Sequence, residues 1–158
     1  MKLFDILDAV PFPVAYRIAF LTNFWREPLL KRMEREFGLI RPELTVLMCL
    51  SFQSGLNARD ICEITEQPSN TVSRAVVSLS TQKLIHRKRD AKDARRITLD
   101  ITEEGRRVYD QLMESFVEAE RVMLANLSKD EINQLTKLLD KIAKDAPNWS
   151  RAEIFKDL

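Results

Sequence analysis

The chain of 158 residues is 45% hydrophobic and 31% charged, with three glycines and six prolines. That is one domain's length with material for a core, and it excludes collagen-like and low-complexity readings; so few glycines also count against a sheet-rich fold with many tight turns. One histidine and two cysteines leave little for a zinc hydrolase or a disulfide framework, and 25 basic against 24 acidic side chains give a net charge of +1, which by itself points to no nucleic acid.

At the N-terminus, Asp5 and Asp8 interrupt the stretch where a secretion signal needs an apolar core. The longest apolar run, Val46 to Leu50, is far short of the ~20 residues of a membrane span, so a cytoplasmic chain is expected. Val14, Ile18, Leu21, Trp25, Leu29, Met33 and Phe37 recur every three or four residues, a helical stripe that opens after Pro11 and Pro13. Pro28 lies inside it and is expected to kink or split the helix, because proline lacks the backbone donor. Gly38 ends it as a C-cap. Pro42 suits the first turn of a second helix, to about Phe52, with Leu44, Leu47 and Leu50 on its apolar side; Ser54-Gly55 closes it.

Asn57 is a good N-cap for a short helix carrying Ile61 and Ile64. After the turn Thr65 to Gln67, Pro68 opens another helix with Val72, Val76 and Leu79 on one face. Leu84 and Ile85 begin a strand. Ile97, Leu99 and Ile101 alternate with polar residues at a strand period of two. Thr102 caps the next helix, with Glu103 and Glu104 in its first turn and Val108, Tyr109, Leu112, Met113, Phe116 and Met123 along it. Ser128 and Glu131 form a capping box for a last helix with Ile132, Leu135, Leu138, Leu139 and Ile142. The tail carries Trp149, Ile154 and Phe155. The order is helix four times, strand twice, helix twice.

Charge is unevenly spread along this order. Residues 83–96 hold Lys83, Arg87, Lys88, Arg89, Lys92, Arg95 and Arg96 against Asp90 and Asp93, a net +5 in fourteen residues. A solvated loop accounts for this on charge alone; a phosphate-contacting element accounts for it too, since the local field steers a polyanion.

A short helix, a tight turn, a second helix and a two-stranded ribbon make a winged helix-turn-helix. With Val72, Val76 and Leu79 turned inward, Ser69, Asn70, Thr71, Ser73 and Arg74 face outward near the start of the second helix. Asn pairs with adenine, Arg with guanine or phosphate, and Ser and Thr with either. An ordinary solvated face is the plainer reading of those five; the basic ribbon beside them favours a surface for duplex DNA. The fold expected is mainly α with a two- to three-stranded β wing.

Asp90-Ala91-Lys92-Asp93-Ala94-Arg95-Arg96-Ile97-Thr98-Leu99-Asp100-Ile101-Thr102-Glu103-Glu104-Gly105 resembles the wing of the multiple antibiotic resistance regulator (MarR) family of bacterial transcription factors. Thr71-Val72-Ser73-Arg74 followed by Leu79 is similar to that family's recognition helix, and Leu84-Ile85-His86-Arg87 to its first wing strand. Three stretches in register make the likeness specific between Gly38 and Gly105, and the helix order extends it over nearly the whole chain.

The resemblance implies a homodimer held by helices from both termini, with residues 10–37 and 104–158 as the dimerisation region and 42–102 as the DNA-binding region of one domain, 1–158. It implies two recognition helices reading a pseudo-palindromic operator with half-sites about one DNA turn, ~10 bp, apart. Lys92 lies in the wing tip. Arg95 would enter the minor groove, oriented by a charge-assisted bond from Asp93. Two departures stand out. Val77 replaces an acid that helps anchor the wing arginine, leaving Asp93 for that task and an apolar side chain for a thymine methyl. Lys83 replaces the glycine before the first wing strand.

Many members of the family release DNA on binding a small aromatic or phenolic acid. Tyr16, Arg17, Phe20, Trp25 and Phe52 are the candidate lining residues, with Arg17 as the cation for a carboxylate; core or interface packing is the plainer reading of the aromatics. Redox sensing through Cys49 or Cys62 is the alternative, against which stands their place on apolar helix faces. His86 and scattered carboxylates give no metal set, and no cofactor is implied. Neither a nucleophile-base pair nor a Gly-rich phosphate loop points to an enzyme. A winged helix serving only protein contacts is the remaining rival, and the +5 stretch speaks against it.

Overall fold

The computed structural model describes residues 3–89 and 97–152. Among them the elements run α1 (Leu3–Ala9), α2 (Pro13–Phe37), α3 (Arg41–Phe52), α4 (Ala58–Thr65), α5 (Ser69–Thr81), β1 (Ile85–Arg89), β2 (Ile97–Ile101), α6 (Glu103–Met123), α7 (Lys129–Lys144) and α8 (Ala146–Trp149). The chain divides into two compact units, Met1–Ala119 and Glu120–Leu158.

In the first unit α2 runs unbroken through Pro28, so the expected split does not occur. A proline deletes a single backbone bond, and the helix continues because the turns that follow it are tied to the core: Met33 is fully buried, and Leu30 and Phe37 pack against the core. Gly38 caps α2 at φ +64°, donating its N–H to Glu34 O at 2.9 Å. The residues before Pro11 form a helix of their own, not expected from the sequence. Leu7 is buried there, and Arg17 fastens it from α2, donating to Leu7 O at 2.7 Å and to Asp8 Oδ1 at 2.6 Å.

The helix-turn-helix is built on α3. Its start is set by Glu43, whose carboxylate accepts the Ile40 N–H at 2.7 Å. Val46, Leu47 and Leu50 of α3, Ile61 of α4 and Val72, Val76 and Leu79 of α5 close one core with Leu84, Ile85, Leu99 and Leu112. Burying each such aliphatic side chain stabilises by about 1.5–3 kcal/mol. At α4, Asn57 Oδ1 accepts from the N–H groups of Arg59 and Asp60 at 2.8 and 3.0 Å, and Asp60 reaches back to the Asn57 N–H at 2.9 Å. Ile64, carried by the same short helix as Ile61, is exposed. The core takes one stripe of this two-turn helix, and Ile64 instead borders a hollow of about 220 Å³ with Phe52 and Cys49.

β1 and β2 are antiparallel, with Ile85 opposite Ile101 and Arg89 opposite Ile97. The segment after α3 adds a third, one-residue strand: Leu56 bridges Leu99, whose N–H donates to Leu56 O at 2.7 Å. In the second unit the Ser128–Glu131 capping box opens α7, and Trp149 of α8 folds back to donate its indole N–H to Ile142 O at 3.1 Å. No helix of the described residues is long and apolar enough to cross a membrane.

Candidate nucleic-acid interface

The turn between α4 and α5 aims the second helix. Glu66 ends α4 in the left-handed region at φ +54°, and Gln67 donates from Nε2 to Thr45 Oγ1 at 3.2 Å, tying the turn to α3. Pro68 then fixes the entry to α5. With Val72, Ala75, Val76 and Leu79 buried, the opposite stripe of α5 presents Ser69, Asn70, Ser73, Arg74 and Val77 to solvent. At 100° per residue these five fall within one contiguous face. Thr71, expected beside them, lies on the flank and is half-buried; it packs toward α3 because its helical angle adjoins that of Ala75. Asn70 Oδ1 accepts the Thr71 N–H at 2.8 Å. Arg74 makes no hydrogen bond or ion pair among the described residues. Val77 is 56% exposed, an apolar spot in the middle of the stripe.

The wing rises from Lys83, which adopts φ +60° despite its side chain, so the turn keeps the shape that glycine usually supplies. Behind it Leu84 and Ile85 are buried, while His86, Arg87, Lys88 and Arg89 are exposed. Asp100 on β2 answers one of these charges: its Oδ2 lies 3.0 Å from Lys88 Nζ, and its Oδ1 accepts the Gly55 N–H at 2.9 Å. The Lys88 ammonium, helped by the Gly55 bond, holds the Asp100 carboxyl below the usual aspartate range against an opposing effect of burial that is second in size to the Lys88 bond. Thr102 closes the base, donating to Lys83 O and accepting from the Gly105 N–H at 2.9 Å each. Gly105 is required by close approach: a Cβ there would sit 2.0 Å from Leu84 O. Lys92, Asp93 and Arg95 of the wing tip lie outside the described residues, as do Ile154 and Phe155.

Of the candidate effector residues, Phe52 borders the hollow beside Cys49 and Ile64, and the others are held by contacts of their own. Tyr16 packs edge-on against Phe12, Phe20 lies 4.8 Å from Phe24, and Trp25 meets Phe116 edge-on at 5.8 Å, with its indole Nε1 buried and without a hydrogen-bond partner among the described residues. Arg17 is engaged by Asp8 and the backbone of α1. Phe52, at the end of α3, is 83% exposed. Both cysteines are free thiols. Cys49 is buried, and burial pushes its thiol above the usual range; Cys62 is half-buried. Among the described residues no cluster of His, Cys, Asp and Glu could hold a metal ion.

Sequence reasoning missed Asp100, Gly55 and Gly105. The signal for Asp100 was its place on the polar phase of β2 facing a basic strand, which has meaning only once the register is known.

Comparison with known proteins places this geometry in company. The MarR family profile matches residues 37–96. An uncharacterized HTH-type transcriptional regulator, YwaE, of Bacillus subtilis (strain 168) is 28% identical over 132 residues, 80% of this chain and 77% of that protein. Among solved structures, the S. aureus MepR–DNA complex is similar at a TM-score of 0.71 and 25% identity, covering 85% of this chain and 96% of that one. The PcaV regulator from Streptomyces coelicolor in complex with its natural ligand is similar at a TM-score of 0.68 and 26% identity, covering 89% and 96%.

Proposed function

We propose that the chain is a winged helix-turn-helix regulator of the MarR family, whose profile matches residues 37–96, and that it is a homodimeric, sequence-specific DNA-binding repressor relieved by a small-molecule effector. The observation that carries this reading is the exposed stripe of α5, where Ser69, Asn70, Ser73 and Arg74 stand side by side and the Arg74 guanidinium has no partner among the described residues. A helix of this kind fits the major groove, and these side chains match base edges and phosphates.

In this reading Ser69, Asn70, Thr71, Ser73 and Arg74 contact DNA from α5. Arg87 and Arg89 on β1 lend the wing its field, Lys92 and Arg95 reach the backbone and minor groove, and Asp93 orients Arg95. Val77 meets a thymine methyl. The DNA complex of MepR supports docking through this fold. Residues 10–37 and 104–158 form the dimerisation region and 42–102 the DNA-binding region of one functional domain. The exposure of Phe12, Val14, Ile18 and Leu21 along the start of α2 supports a partner there. The ligand complex of PcaV supports an effector. A small aromatic or phenolic acid is the class that suits Tyr16, Arg17, Phe20, Trp25 and Phe52, and its carboxylate must displace Asp8 from Arg17. Such a regulator works in the cytoplasm and performs no catalysis.

Genome-wide capture of bound DNA, followed by titration of a captured site, tests the reading. The purified protein is expected to prefer the captured site to random duplex and to lose affinity steeply as salt rises. Equal affinity for both duplexes removes the sequence-specific reading. Asn70→Ala is expected to change base preference more than overall affinity; a uniform loss on every duplex makes Asn70 a backbone contact instead.

A further inference from the structure

β2 is the middle of a short three-stranded arrangement. β1 pairs along one edge. On the other edge the Gly55 N–H donates to Leu99 O at 3.1 Å and the Leu99 N–H to Leu56 O at 2.7 Å. The Asp100 side chain spans all three: Oδ1 accepts the Gly55 N–H at 2.9 Å, and Oδ2 holds Lys88 Nζ at 3.0 Å. His86 is the register partner of Asp100 on β1, so the same side of the sheet carries His86, Lys88 and this one carboxylate. Arg87 and Arg89 alternate to the other side. Gly55 lies two residues before the Asn57 cap of α4, and so at the root of the helix-turn-helix.

We propose that Asp100 is the positioning residue of the wing: it pins β1 to the loop that leads into the helix-turn-helix, and it withholds Lys88 from DNA. One carboxylate then sets both the pitch of the wing against α5 and the number of cations the wing offers. The pinning rests on geometry alone, and its consequence for DNA rests on the DNA-binding reading above. An ammonium already paired within the protein releases few counterions on binding, whereas a freed one adds a phosphate contact of no sequence value.

Two measurements decide it. In the full-length protein labelled with nitrogen-15, the Gly55 amide resonance is followed from neutral to acid pH. It is expected to titrate below the ordinary aspartate range, to move its midpoint upward in Lys88→Gln, and to stop titrating in Asp100→Asn. A Gly55 amide that does not titrate, or whose midpoint ignores Lys88→Gln, overturns the tether, and this readout needs no DNA. The second measurement is the salt dependence of affinity for random duplex. Lys88→Gln is expected to leave the slope as in the parent protein. Asp100→Asn steepens it by about one and lowers the preference for a captured site several-fold, and Asp100→Asn with Lys88→Gln restores the parent slope. A slope reduced by Lys88→Gln alone makes Lys88 a direct phosphate contact and overturns the withholding. Failure of the parent protein to bind any duplex overturns the DNA reading, while the Gly55 titration still decides the tether.

Discussion

Lys83 sits in the left-handed region at φ +60° with a full side chain, at the position where the wing leaves α5. An L-residue there costs about 1–2 kcal/mol relative to its preferred regions, and the surrounding bonds hold it: its N–H donates to Ser80 O at 3.1 Å and its carbonyl accepts from Thr102. Lys83→Gly is therefore expected to stabilise the fold by about 1 kcal/mol, read as a higher midpoint in urea, because relief of strain outweighs the added freedom of the unfolded chain. Asp100 gives a pH dependence of known sign. The folded protein binds its proton less readily than the unfolded chain, so this contribution to stability is complete above the unfolded aspartate value. It fades as pH falls through the lower folded one. Urea unfolding across the acid range is expected to show a shallower loss of stability in Asp100→Asn than in the parent. An equal slope in both would remove the linkage.

At the scale of elements, α4 is eight residues long, too short to persist without help. Two of its free N–H groups are met by Asn57, and Ile61 provides its buried anchor. Asn57→Ala is expected to cost about 1 kcal/mol in unfolding free energy and to raise amide exchange in α4 before the rest of the core; uniform exchange across the unit would show that the cap is not local. The same scale shows what was legible beforehand. Gly38, Asn57, Thr102 and Ser128 stand at the helix boundaries where local chemistry puts them, and the buried stripe of α5 follows its spacing. α1 was missed because its seven residues carry too short a pattern to recognise, and its hold comes from Arg17 on another helix.

For the whole molecule, the proposed function calls for two chains on one duplex. Arg95→Ala is expected to weaken operator binding by about 1–3 kcal/mol in a mobility-shift titration while sedimentation still reports a dimer. A monomer would move Arg95 from the wing to the assembly, and unchanged binding would remove the arginine from the wing's role. The order from α2 to α7, the caps, the exposure of Ser69, Asn70, Ser73 and Arg74 on α5 and the basic stretch were determined by the sequence itself, because periodicity and capping depend on residues within a turn or two of each other; the half-buried place of Thr71 was not. The tertiary structure alone decided that Asp100 meets Gly55 across 45 residues, that Gly105 must lack a Cβ against Leu84 O, and that Arg17 is taken by Asp8. Those partners are chosen by how the chain closes on itself, and no local pattern carries that information.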